Sequence, residues 1–277
     1  MEISQLPRPL SCSVCGGSEF EPLDILDARL IRDWGLDPRQ VAYINKQQGT
    51  RCTTCWSNYR SIVLARAICS FSGFTGVLQD LTAHLTENLQ SKKLLVNFNI
   101  LELNEAGNLT KYLETLPGYA LGSYPEVDMM ALPYASESFD LVVHSDTLEH
   151  VPDPLLGLRE CQRVLKAGGA CIFTVPSLVE RLSRHREGMA PSFHGEYEVM
   201  AEDLLVHTEF GADAWTYAAQ AGFEKIIVDV LDYPAAIALS ALKLPMVTNR
   251  TESAHSSVSS SPWKKLFGIF QTRPHNK

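Results

Sequence analysis

The passage that most limits how this chain can fold spans residues 139–151, F-D-L-V-V-H-S-D-T-L-E-H-V. Leu141, Val142 and Val143 form a short apolar run of the kind buried on both faces in a parallel sheet. The run breaks at once into His144, Ser145, Asp146, Glu149 and His150, and then into Pro152-Asp153-Pro154. Open α/β sheets bind ligands at the carboxyl ends of their strands. This burst of polar and titratable groups therefore marks a candidate site. The same residues also read as a strand-to-helix turn, with Asp153 as N-cap and Pro154 at the first helical position. Both readings can hold at once.

The flanking sequence alternates strand and helix. Residues 99–104 read as a first strand, followed by a helix over 109–116. Strands are predicted at 119–122 and 127–130, ahead of the fourth at 141–143. A helix over 154–165 is expected to end at Lys166-Ala-Gly168-Gly169 with glycine at its C-cap. A fifth strand over 170–175, a helix over 215–221 and final strands at 226–231 and 235–242 complete the pattern. The fold class this predicts is α/β, a Rossmann-like, mostly parallel seven-stranded sheet with helices on both faces.

Upstream, Cys12-Ser-Val-Cys15 and Cys52-Thr-Thr-Cys55 supply two C-x-x-C pairs. Four thiolates are what a closed tetrahedral zinc site requires, and Gly16 relaxes the backbone after the first pair. A redox pair or four unrelated buried cysteines are the competing readings. Cys69, Cys161 and Cys171 stand alone in apolar surroundings, as core residues do. The expected organisation is a small zinc-ribbon-like, zinc-binding module over 1–60 and a helical connector over 61–93. The α/β domain follows over 94–245, and a serine-rich, disordered tail over 246–277. Within that tail, residues 263–270 mix basic and apolar side chains, and could meet an anionic membrane or a partner groove.

The chain of 277 residues has a net charge of -8, so no overall positive field draws it to phosphate backbones. No apolar run is long enough to cross a bilayer, and the first ten residues lack a signal peptide's charged start and apolar centre. The expected location is cytoplasmic, where cysteines serve as metal ligands or packing rather than as disulfides.

Taken in order, these segments resemble the class I S-adenosylmethionine-dependent methyltransferases of the type 11 kind, over about residues 94–242. The carrying residues are Ile100-Leu-Glu-Leu-Asn104 with Gly107, Ala131-Leu-Pro-Tyr134 with Glu137-Ser-Phe-Asp140, His150-Val, and Arg163-Val-Leu-Lys-Ala-Gly-Gly169. The resemblance implies S-adenosylmethionine as cofactor. Glu102, Asn104 and Gly107 would stand at its methionine part and Ser123 and Tyr124 near its ribose. Asp128 and Met129 would meet its adenine, with Ser145 at the end of the fourth strand. One departure is plain: of the family's glycine loop only Gly107 remains, so side chains at Asn104 and Glu105 would narrow the approach.

A sulfonium methyl is already activated, so the protein's main task is alignment and exclusion of water. Where a base is needed, the candidates are His150, and His194 and His207 in the long segment after the fifth strand. Each could equally be a hydrogen-bonded structural residue. Asp146 and Glu149 could orient such a histidine or line the pocket. The leading expectation is transfer of a methyl group to a small-molecule acceptor such as a sugar or metabolite, with zinc structural at Cys12, Cys15, Cys52 and Cys55. Two alternatives are an RNA methyltransferase that holds nucleic acid with its zinc module, against which the acidic charge argues, and a non-catalytic binding protein with a degenerate glycine loop. An NAD enzyme is disfavoured because the dinucleotide glycine fingerprint is absent. The sequence leaves the oligomeric state open.

Overall fold

The computed structural model describes residues 11–90, 98–194 and 202–245. The expected tail over 246–277 lies outside the described residues. The N-terminal part contributes β1 (Phe20–Glu21), α1 (Ala28–Asp33), α2 (Pro38–Gly49), β2 (Arg51–Cys52), α3 (Tyr59–Ser72) and α4 (Leu78–Gln90). Then come β3 (Ile100–Leu103), α5 (Thr110–Leu113), β4 (Tyr119–Gly122), β5 (Phe139–Ser145), α6 (Pro154–Val164) and β6 (Leu165–Thr174). Three short strands, β7 (Ser177–Leu178), β8 (Arg184–His185) and β9 (Thr208–Gly211), precede α7 (Trp215–Gln220), β10 (Lys225–Leu231) and β11 (Ala236–Leu242). Among the described residues no helix is long and apolar enough to cross a membrane.

The central sheet has six strands in the order β10-β11-β6-β5-β3-β4. Its β4, β3, β5 and β6 run parallel, and β11 and β10 add antiparallel at one edge. The α/β class therefore holds, with six strands where seven were expected. The missing strand is the one predicted at 127–130. There Asp128 turns its carboxylate back to accept from the Met130 amide at 2.8 Å, capping a single 3₁₀ turn over Met129–Ala131. An aspartate that satisfies its own following backbone competes with the sheet ladder and ends it.

Side chains of successive strand residues point to opposite faces. Ile100, Leu141, Val143, Ala170 and Ile172 share one apolar cluster with Ile62, Val63 and Ile68 of α3. Leu101, Val142, Cys171 and Phe173 share another with Leu158 and Cys161 of α6. Helix α3 thus packs on the sheet, and it is buried nearly all round. Asn58 caps its start through the Ser61 amide at 2.9 Å, and Gly73 closes it in the left-handed conformation at φ 73°. The cysteines Cys12, Cys52 and Cys55 lie in the same apolar cluster as α3.

At α6 the expected start is found: Asp153 accepts from the Leu156 amide at 3.0 Å and Pro154 opens the helix. Its end differs. The helix stops at Val164 and passes directly into β6, so the glycines lie inside the strand rather than at a cap. Gly169 is needed there because a Cβ would stand 2.8 Å from the Asp140 carbonyl oxygen, where the ladder with β5 shifts register.

The segment after β6 is held by a small sheet in the order β7-β9-β8. Buried Glu209 accepts from Arg184 at 2.7 Å and pairs with Arg186, which lies over the Trp34 ring. Trp34 in turn donates its indole N–H to Ser192 at 2.8 Å, and Arg181 donates to the Trp34 and Gly35 carbonyls at 2.9 and 2.7 Å. These bonds tie the N-terminal helices to the segment that follows β6.

Candidate functional site

Four cysteine sulfurs meet between the two N-terminal turns. Each C-x-x-C pair bends through a backbone bond at its end, from the Gly16 amide to the Cys12 carbonyl and from the Trp56 amide to the Cys52 carbonyl, both 2.8 Å. The residue after each pair is left-handed, Gly16 at φ 82° and Trp56 at φ 63°. One knuckle therefore uses glycine for a conformation that the other imposes on a tryptophan. The Cys12 and Cys55 sulfurs are 3.6 Å apart, those of Cys15 and Cys52 are 3.7 Å apart, and all four lie within 4.8 Å of one another. A zinc–sulfur distance of about 2.3 Å gives a tetrahedron with edges of about 3.8 Å, so the sulfurs fit that ion closely. No disulfide joins them.

A cavity of about 440 Å³ opens at the carboxyl ends of β3, β4 and β5. Asn104, Tyr124, Asp128, Met129, His150 and His207 all line it, together with Asp146 and Thr147. Asn104 is left-handed at φ 52°, the backbone state a glycine loop would supply and one that asparagine tolerates. Its side chain lies across the strand ends, accepting from the Tyr124 amide at 3.0 Å and donating to the Thr147 hydroxyl at 3.4 Å. Glu105 is exposed and not among the lining residues.

Glu102, Gly107, Ser123 and Ser145 do not line this cavity. Glu102 is fully buried beneath it, accepting from the Ala106 amide at 2.7 Å, the Thr110 hydroxyl at 2.8 Å and the Tyr119 hydroxyl at 2.6 Å. Burial raises its pKa against those three donors. Gly107 is left-handed at φ 60° beside Ser61 of α3, and the Ser123 carbonyl accepts from the Val127 amide at 2.8 Å. Ser145 shares a 2.7 Å hydrogen bond with Thr174.

A second cavity, of about 690 Å³, lies between α1, α2 and the segment after β6, with Leu30, Trp34, Ile44, Leu178 and His194 in its wall. The two cavities meet at a histidine pair, His150 lining one and His194 the other. His150 Nδ1 lies 3.0 Å from the Leu205 carbonyl oxygen. A carbonyl only accepts, so Nδ1 carries the proton and Nε2 keeps its lone pair. Burial lowers the His150 pKa against that bond, and lowers that of His194 to about 3, with His150 adding to the effect. His207 is lowered by burial and then by His185, whose ring centroid is 6.2 Å away. Two further members escaped sequence reasoning as parts of this site, Trp34 and Arg60. Arg60, on α3, pairs with Asp146 across the fold, and no local pattern announces that contact.

Residues 104–173 match the family described as "Methyltransferase domain". Over 48 residues the chain is 48% identical to 2-methyl-6-phytyl-1,4-hydroquinone methyltransferase 1 of rice, covering 17% of this chain and 14% of that protein. Over 77 residues it is 35% identical to the ubiquinone biosynthesis O-methyltransferase of Cereibacter sphaeroides, covering 28% and 29%. The matched segments thus span less than a third of these relatives' lengths. A solved S-adenosylmethionine-dependent methyltransferase of Methanosarcina mazei is 13% identical, covering 57% of this chain and 98% of that one, at a TM-score of 0.35. These matches place a methyltransferase domain over residues 104–173.

Proposed function

We propose that the protein transfers a methyl group from S-adenosylmethionine to a small molecule. The observation that carries this reading is the cavity at the carboxyl ends of β3, β4 and β5, where Asn104, Asp128 and Met129 share one wall with His150 and His207. Asp128 would take the adenine amino group and Met129 its ring face, while Asn104 replaces the lost glycine at the methionine end. Glu102 would act from below, holding the loop that carries Asn104.

The second cavity would take the acceptor. Both cavities fall in the size range of small-molecule sites. The histidine pair lies between them. His150 Nε2 keeps its lone pair at this boundary. The chemistry is an in-line displacement: the acceptor atom forms the new bond to the methyl carbon, the sulfur keeps the electron pair, and S-adenosylhomocysteine leaves. Zinc on Cys12, Cys15, Cys52 and Cys55 would be structural, fixing the base of the module whose helices wall the acceptor cavity.

The test is calorimetric titration of the zinc-replete protein with S-adenosylmethionine and S-adenosylhomocysteine, with NAD as control. Binding in the micromolar range, about -8 kcal/mol, is expected for both. Absence of heat with either compound would overturn the reading.

A further inference from the structure

Glu149 sits where an acidic side chain has no ordinary reason to be. Its side chain is 2% exposed, and neither carboxylate oxygen has a hydrogen-bond partner. An isolated buried carboxylate is expensive in either protonation state, since the acid form also keeps an unused donor. The groups that face it are histidines. Its Oε1 lies 3.8 Å from His150 Nε2 and 3.6 Å from His194 Nδ1, too far for hydrogen bonds.

These distances suit a shared ion instead. A cation bound at about 2.1 Å by nitrogen and oxygen ligands in tetrahedral array separates them by about 3.4 Å. One ligand atom from each of Glu149, His150 and His194 lies within 4.8 Å of the others. The outer contact is also of the right kind: His150 donates its remote ring N–H to the Leu205 carbonyl, which fixes the tautomer that leaves Nε2 as a ligand. The neighbouring cation, Arg60, is neutralised by Asp146.

We propose that Glu149, His150 and His194 form a second metal site, three-coordinate in protein ligands, for a divalent transition ion of zinc's class. This site differs from the four-cysteine one in its open fourth position, which a water or an acceptor oxygen fills. His150 lines the donor cavity and His194 the acceptor cavity, so the ion stands at their boundary. Resting on the methyltransferase reading, this names the acceptor class: a hydroxyl-bearing compound whose oxygen binds the ion. The ion lowers the hydroxyl's pKa; the proton leaves to water, the oxygen takes the methyl group, and the sulfur retains the bonding pair.

The test is zinc stoichiometry of the full chain after dialysis against buffered zinc, with zinc-edge X-ray absorption to read the ligands. Wild type is expected to hold two equivalents, one all-sulfur and one nitrogen/oxygen. Glu149→Gln and His194→Ala each remove a direct ligand and are expected to weaken the second by more than the roughly 10- to 100-fold that losing an outer-shell partner costs, while the sulfur site stays full. Glu149→Gln keeps the shape and removes a buried charge, so it preserves the fold. One all-sulfur equivalent in wild type, or a second equivalent indifferent to both substitutions, would overturn the proposal. Cofactor titration of the same samples separates the two readings: zinc bound without cofactor sinks only the methyltransferase reading, and cofactor bound without the second zinc sinks only the metal site.

Discussion

His150 and His194 meet edge to face, their ring centroids 4.9 Å apart and their planes at 88°. One ring comes from the turn between β5 and α6, the other from the segment after β8. Because each lines a different cavity, the pair is the wall through which a donor and an acceptor would be brought together. That wall depends on contacts between the N-terminal helices and the late part of the chain, above all Trp34 with Ser192.

Asp128→Ala is expected to weaken S-adenosylmethionine about 10- to 100-fold, the loss of one charge-assisted hydrogen bond at 1.5–3 kcal/mol. Asp128→Asn keeps an oxygen for the Met130 amide and should cost less. Calorimetry on both variants checks this. Unchanged affinity in the alanine variant would place the cofactor elsewhere.

Glu102→Ala would leave the Ala106 amide and the Thr110 and Tyr119 hydroxyls without their shared acceptor. Stability to urea should fall by about 2–4 kcal/mol, the scale for stranding buried donors. Glu102→Gln, which keeps one acceptor oxygen, should fall less. A loss below about 1 kcal/mol in the alanine variant would mean the loop closes without this carboxylate.

Removing zinc by chelation, or replacing one ligand as in Cys55→Ser, should lower the melting temperature and loosen the N-terminal module first. The reason is that a closed four-sulfur site contributes its binding energy to folding. Simultaneous calorimetric melting and zinc release, followed with a metal dye, reads both. A stripped protein that melts at the same temperature would rule out a structural ion.

His144 is completely buried and stacked on Phe173, ring centroids 4.8 Å apart, and neither ring nitrogen has a partner. Burial lowers its pKa to about 3. The unfolded chain, with a histidine near 6.5, binds a proton that the folded chain refuses between these values. Stability is therefore fully present above pH 6.5 and declines as pH falls toward 3, by about 2 kcal/mol at pH 5. His144→Phe keeps the ring stack and should flatten that part of the curve. Urea titrations of both proteins from pH 7 to pH 4.5 supply the comparison, and equal slopes would mean His144 is not the group that titrates.

Much of this molecule was legible along the chain because its causes are local. The apolar run at 141–143, the Asp153 cap with Pro154, and the two C-x-x-C pairs each act over a few residues, and each forms as its own sequence dictates. Local reasoning failed where two local preferences competed: residues 127–130 look extended, yet Asp128 caps its own turn. It also misplaced Gly168 and Gly169 at a helix end, because what demands glycine at 169 is the Asp140 carbonyl on another strand.

The sequence by itself determined the α/β alternation, the cysteine set and the residues at the strand ends, since periodicity and short spacing are properties of the chain alone. Only the tertiary structure decided that α3 covers the sheet, that Asn104 takes a left-handed backbone, and that Glu149 faces two histidines instead of solvent. Those are distances between residues far apart in sequence, and they are set by which apolar faces bury against each other rather than by any neighbour along the chain.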